Sequence, residues 1–183
     1  GVDALSRPYK FARGVEADRD DWRLQRWVFE WLQNAIPVQF TIDRMASRAN
    51  RRCIAYCSAS CYDPDAEGQS AFMTDWTKQR PGPGASRAPM NYCFPPFALI
   101  PRVIQHVREC KAWAAGVIPY WPSQHWWADL MSLSVAVLEF PDGTVFERMC
   151  GTAWQPVKQQ SFRPVAVVLD ASRFVDRGPG RVL

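Results

Sequence analysis

The sequence predicts an α/β domain whose sheet is mostly parallel, with an antiparallel C-terminal hairpin and helices on both faces. Three observations lead there. Short apolar runs of strand length alternate with stretches of helical periodicity, the pattern of a parallel core. Pro141-Asp142-Gly143 separates two apolar runs, and Asp-Gly suits a tight hairpin turn. Pro164 to Asp170 then reads as a last strand. The chain has 183 residues, which suits one domain, and 48% of them are hydrophobic, enough for one sizeable core.

Residues 1–19 carry Pro8, Gly14 and scattered charges without apolar periodicity, and read as a linker. Asp20 or Asp21 is the expected N-cap of a first helix. Its apolar face is Leu24, Trp27, Val28, Trp31 and Leu32, and Pro37 ends it. Val38 to Asp43 and Arg51 to Ser58 read as strands, Asp63-Pro64-Asp65 and Gly68 as a turn, and Ala71 to Trp76 as a further strand. Arg80 to Pro89, with three prolines and two glycines, is an irregular loop. Met90 to Phe94 is the central strand. Pro101 opens a helix that buries Ile100, Val103, Ile104 and Val107. Ala115 to Trp121 is a buried strand, and Ser123 caps a short helix holding Trp126, Trp127, Leu130 and Met131. Val135 to Phe140 and Val145 to Cys150 form the expected hairpin. The domain therefore spans 20–175, and 176–183, with Gly178-Pro179-Gly180, is a flexible tail.

Composition bounds the function. A net charge of +4 permits nucleic-acid binding without demanding it. No apolar run approaches the ~20 residues of a membrane span, and the start lacks a signal-peptide layout, so an intracellular protein is expected. The six cysteines include the even series Cys53, Cys57 and Cys61, but the only histidines are His106 and His125. Free thiols in a reducing compartment are favoured over a metal site, and a three-cysteine site completed by a distant residue stays open.

The chain is organised around Met90-Asn91-Tyr92-Cys93-Phe94-Pro95-Pro96-Phe97. Two prolines remove two backbone donors and stop the strand. In an open α/β sheet, ligands bind beyond the carboxyl ends of the strands, where this stiff loop sits. Phe94-Pro95-Pro96-Phe97 resembles the (Asn/Asp/Ser)-Pro-Pro-(Tyr/Phe/Trp) motif of DNA amino-methyltransferases, with the first position changed. Thr41 to Asn50 looks like the "LDxxASxxN" segment of phage-type (Dam-like) adenine-N6 methyltransferases. Asp75-Trp76, Ile118-Pro119 and Trp126-Trp127 follow in that family's order, so the resemblance covers about residues 22–170. Val2-Asp3-Ala4-Leu5-Ser6-Arg7 resembles the "ADALSR" that follows the RNase H domain of reverse-transcriptase polyproteins.

The resemblance implies a Rossmann-like methyltransferase sheet carried in the polyprotein of a DIRS-type retrotransposon, with residues 1–19 linking it to a preceding RNase H-type domain. It implies S-adenosylmethionine as cofactor, held near Asp43, Ala46, Ser47, Asp75 and Trp76. It places the reacting amine against Phe94, Pro95, Pro96 and Phe97, with Phe97 stacking on the base. It implies DNA, single-stranded or a cDNA intermediate, and the adjacent reverse transcriptase and RNase H domains as partners, and a nuclear location. Arg48, Arg51, Arg52, Arg80 and Arg87 are candidate phosphate contacts. Each also has a plainer reading: turn or strand-end caps for Asp43 and Asp75, a solvated face for Arg48, Arg51 and Arg52, and a spacer around Arg80 and Arg87. Phe94 carries no acceptor oxygen for an amine, and no glycine-rich loop of the usual cofactor type is present. An active methyltransferase with an altered motif and a non-methylating nucleic-acid-binding or scaffolding module both remain open, with weakened or lost catalysis favoured.

Overall fold

A computed structural model describes residues 21–59 and 62–173. The linker and tail expected at 1–19 and 176–183, the possible cap Asp20, and Cys61 lie outside the described residues. In chain order the elements are β1 (Trp22–Leu24), α1 (Arg26–Ala35), β2 (Ile42–Ala46), β3 (Ala55–Ser58), β4 (Asn91–Cys93), α2 (Ile100–Cys110) and β5 (Trp113–Pro119). They continue with α3 (Trp127–Leu133), β6 (Ser134–Glu139), β7 (Phe146–Cys150), β8 (Ala153–Pro156) and β9 (Pro164–Asp170). Single 3₁₀ turns form at Ala71–Met73 and Phe97–Leu99.

The main sheet has six strands in the order β3-β2-β4-β5-β9-β6. β3, β2, β4 and β5 run parallel, and β9 lies antiparallel to both β5 and β6. This is the expected parallel core with antiparallel additions. Its strands are apolar on both faces, as two-sided burial requires. On one face Tyr92, Phe94, Ala115, Val117, Ala166 and Val168 pack with Val28, Phe29 and Leu32 of α1. On the other, Cys93, Ala114, Ile118, Val165, Val167 and Leu169 pack with α2 and with Leu130 and Leu133 of α3. The alternation of strand side chains separates these two cores.

Several local rules hold. β4 is shorter than expected, ending at Cys93 with Phe94 before the two prolines, and Pro101 lies in the first turn of α2. Helix α2 buries Ile100, Val103, Ile104 and Val107, and Lys111 closes it in the left-handed conformation at φ 54°. Helix α1 ends at Ala35 because Ile36, ahead of Pro37, is extended. β9 spans Pro164 to Asp170 as expected.

Other expectations are corrected. Asp142-Gly143 makes a turn, with Gly143 at φ 120°, but not a hairpin. β6 pairs with β9, whereas β7 leaves the main sheet and pairs with β1 and β8 in a separate three-stranded antiparallel sheet, order β1-β7-β8. The first helix does not begin at an Asp21 cap: residues 22–24 are taken into β1 by pairing with β7, and Gln25 becomes the N-cap. Trp27 stays 43% exposed and the buried face of α1 is Val28, Phe29 and Leu32. β2 runs later than expected, to Ala46, and β3 is shorter, starting at Ala55. β5 starts earlier, at Trp113, and α3 starts at Trp127 without a Ser123 cap. Ala71 to Trp76 is not a strand. The Ser70 hydroxyl accepts from the Phe72 amide, and the Trp76 indole donates to the Ala71 carbonyl, curling the segment into a 3₁₀ turn. No helix among the described residues is long and apolar enough to cross a membrane.

Candidate functional site

The residues that converge toward the carboxyl ends of the parallel strands come from four places. β2 brings Asp43 and Met45, the turn after it brings Asn50 and Arg52, the end of β4 brings Tyr92 and Phe94, and β1 brings Trp22 and Arg23. They line a half-open cleft of about 10 Å³. That is room for about one water, where ligand pockets usually span roughly 300–1,000 Å³.

Asp43 is 3% exposed and beside Tyr92 in register. Its carboxylate accepts from the Arg52 amide at 3.1 Å and from the Met45 amide at 3.4 Å, so it orders the turn that follows β2. Burial, with the Asp43 charge close by, pushes the Tyr92 hydroxyl and the Cys53 and Cys93 thiols well above their ordinary pKa values. Those three groups stay neutral. Ser47 and Asn50 cap each other: the Ser47 amide donates to Asn50 Oδ1 at 2.6 Å, and the Asn50 amide donates to Ser47 Oγ at 3.2 Å. This reciprocal geometry resembles a capping box. It gives the Ser-x-x-Asn spacing a local structural use. Ala46 is the half-buried last residue of β2, at an irregular register with Ser58.

Phe94 is 5% exposed, and its ring stacks on Phe146 of β7 at 5.2 Å and 21° between planes. Pro95 and Pro96 are buried, and the Pro96 carbonyl accepts from the Leu99 amide at 2.9 Å. Phe97 is half-buried and meets the rings of Trp121 at 5.3 Å and Phe162 at 4.9 Å edge-on. Phe146 and Phe162 also touch Trp22, at 5.6 and 6.3 Å. The small sheet thus covers the end of β4 with aromatic rings.

A charged lattice holds that sheet in place. Glu147 of β7 accepts from Arg23 Nε at 2.6 Å and pairs with Arg52 at 3.0 Å. Arg52 also donates to the Leu24 carbonyl, and its side chain is 3% exposed. Burial lowers the Arg52 pKa, with repulsion from Arg23 adding to it and Glu147 opposing. Arg23 lies over the Trp154 ring at 3.7 Å.

Asp75 and Trp76 are elsewhere. Asp75 is exposed and accepts from the amide and hydroxyl of Thr77, which hold its pKa down, with Lys78 at 3.5 Å. Trp76 is fully buried in the core on the opposite face of the sheet from Asp43. Its carbonyl accepts from Asn91 Nδ2, as does that of Trp113, which places it at the amino ends of β4 and β5. Asp43, Ala46 and Ser47 are therefore together, and Asp75 and Trp76 are not with them.

The five candidate arginines are mostly engaged within the chain. Arg48 pairs with Asp65 at 3.4 Å on the surface. Arg51 donates to the carbonyls of Cys53 and Ile54. Arg52 is locked as above. Arg80 donates to the carbonyls of Ala66 and Glu67. Arg87 is exposed on the irregular loop. Among the described residues, no three His, Cys, Asp or Glu side chains are grouped to hold a metal ion, and Cys53, Cys57 and Cys93 are buried free thiols.

Sequence reasoning missed the buried pair of Arg44 and Asn91. Arg44 is 1% exposed and donates Nε to Asn91 Oδ1 at 2.7 Å and a terminal nitrogen to the Lys78 carbonyl at 2.7 Å. It also missed Arg23, Asn50 and Glu147. Ser47-x-x-Asn50 was a readable signal for one of these; a charged residue inside a five-residue strand gives none. No family model matches the chain, and no curated protein matches it.

Proposed function

We propose that the chain is a Rossmann-like, methyltransferase-like domain of a DIRS-type retrotransposon polyprotein. It would be related to S-adenosylmethionine-dependent DNA adenine-N6 methyltransferases, with catalysis weakened or lost. Its role in this reading is that of a scaffolding or nucleic-acid-binding module beside the reverse transcriptase and RNase H domains, acting on DNA or a cDNA intermediate in the nucleus. One observation carries the loss of catalysis: Phe94 stacks on Phe146 where the motif would offer an acceptor to an amine. A missing polar partner of this kind costs about 10²–10³ in rate by analogy with oxyanion-hole deletions. The 10 Å³ cavity beside Asp43 adds to it, being far smaller than a nucleoside cofactor. Asp43, Asn50 and the Pro-Pro-Phe turn support descent from a ligand-binding ancestor. The internal engagement of Arg48, Arg51, Arg52 and Arg80 favours scaffolding over tight DNA binding.

Calorimetric titration of the folded chain with S-adenosylmethionine and S-adenosylhomocysteine tests the reading. No heat with either ligand is the expected result. Micromolar binding would overturn the loss of the cofactor pocket and make a methyl-transfer assay on DNA the deciding step.

A further inference from the structure

A sheet edge is a row of unpaired N–H and C=O groups, and folded chains usually blunt it. Three of the four edges among the described residues are blunted. Glu67 and Gly68 run beside β3: the Glu67 amide donates to the Tyr56 carbonyl at 2.8 Å, and the Ser58 amide donates to the Gly68 carbonyl at 2.9 Å. β1 has three residues, and its Leu24 carbonyl is taken by Arg52. β8 has four residues and ends in Pro156, which has no N–H to offer. The fourth edge is different. β6 has six residues, Ser134 to Glu139, without proline or lysine. Among the described residues β9 is its single strand partner. A register shift between Ser134 and Ala136 disturbs its start, and Ala136 to Glu139 run regularly. Ala136 and Leu138 pack on the core, whereas Val135 is 64% exposed and Val137 43%. Val137 stands opposite the buried Val167, so it extends an apolar row that ends in solvent.

We propose that β6 is a dimer surface: two copies of this chain pair their β6 strands antiparallel, making one continuous sheet through both. This stands whether or not the domain is methyltransferase-like. Charge favours a second copy over an acidic or basic peptide. Glu139 is the one charge on β6, and the chain's own Arg163 already pairs with it. Two β6 strands therefore meet without opposed like charges, and no unpaired charge is left to recruit a different partner. Topology favours closure. With β3 covered, the main sheet has one open edge, so pairing about a two-fold axis ends at two copies and does not grow into a fibre. The contact is one strand wide, short of the roughly 1,200–2,000 Å² of a standard interface, so a dissociation constant on the order of ten micromolar is expected.

The test is sedimentation velocity of the full chain from about 1 to about 200 µM, spanning that constant. Monomer at the bottom of the range and dimer at the top is the expected result. Val137→Lys places a charge on the edge and should weaken the dimer by about tenfold or more. Met73→Lys, at the 84% exposed residue of the turn Ala71–Met73, should leave the dimer unchanged. Thermal melting reports whether each variant is folded. If Val137→Lys does not fold, hydrogen exchange of the wild-type chain decides: the β6 amides that do not face β9 should exchange about threefold slower or more at the top of the range than at the bottom. A monomer at every concentration overturns the proposal; β6 amides that are slow to exchange even then would show the edge covered within one chain. A dimer that a folded Val137→Lys variant keeps at full strength also overturns it, as does growth beyond two copies.

Discussion

Phe94 and Phe146 stack at 5.2 Å, joining the residue just after β4 to the first residue of β7, the middle strand of the small sheet. The contact turns residue 94 from a candidate chemical group into a packing group. Phe146→Ala should destabilise the chain by about 3–5 kcal/mol, the usual cost of deleting a buried aromatic ring. Urea denaturation measures it, and a loss under 1 kcal/mol would mean that the two sheets do not depend on this stack.

Phe94→Asn restores the polar first position of the motif but places an amide against Phe146. It should destabilise by about 2–4 kcal/mol, from the lost ring and the burial of an amide. Methyl incorporation into adenine-containing DNA should remain at background. Appearance of N6-methyladenine with this single change would show that the site needs only its acceptor.

Arg52 and Arg87 should separate cleanly. Arg52→Ala leaves Glu147 with one cation fewer and the Leu24 carbonyl without its donor, and should cost about 2–4 kcal/mol. Arg87→Ala should stay within about 0.5 kcal/mol of wild type, because the side chain is exposed. If Arg87 meets phosphate, its loss should flatten the salt dependence of DNA affinity by about one unit of slope. Equal stabilities of the two variants would refute the division.

Asn91→Ala removes the acceptor of Arg44 Nε and the donor to the carbonyls of Trp76 and Trp113. A loss of about 2–3 kcal/mol is expected, since both sides are buried. Arg44→Met should be milder than Arg44→Ala, because an unbranched apolar chain keeps the volume beside Trp76. Thermal melts of the three variants give the order directly.

The Tyr56 hydroxyl donates to both oxygens of Asp63, at 2.8 and 2.9 Å, and burial together with this carboxylate raises its pKa to about 12. The neutral phenol is therefore favoured by folding. Its contribution is complete below pH 10, the ordinary tyrosine value, and is lost as pH rises toward 12. Wild type should lose stability over that window more steeply than Tyr56→Phe. Parallel curves for the two proteins from pH 9 to 12 would exclude the linkage.

The sequence carried the main sheet better than the small one, for a physical reason. β9 and α2 were readable because seven or more residues of consistent period lie between clear stops. β1 and β8 have three and four residues, too few for any period, and exist only through pairing with β7. Asp142-Gly143 announced a reversal of the chain but not which strand would be waiting. At the site, Asp43 was legible as a carboxylate at a strand end, whereas the mutual capping of Ser47 and Asn50 was not read from their spacing. Asp75 was misplaced because Ala71 to Trp76 has strand-like composition, while the local bonds of Ser70 and Asp75 favour turns. Arg44 was invisible, since its burial is allowed only by carbonyl and amide groups that arrive from residues 78 and 91.

Arg23 and Glu147, bonded across the small sheet, are separated by 124 positions. Strand β1 is among the first described parts of the chain to leave the ribosome, and its partner strand is among the last. At roughly 5–20 residues per second, β1 would wait on the order of ten seconds with Trp22 and Leu24 uncovered. Over that interval the nascent chain offers an unpaired apolar strand to chaperones or to neighbouring nascent chains. The emergence of β7, rather than that of β1, would then govern how much of the protein escapes misassembly.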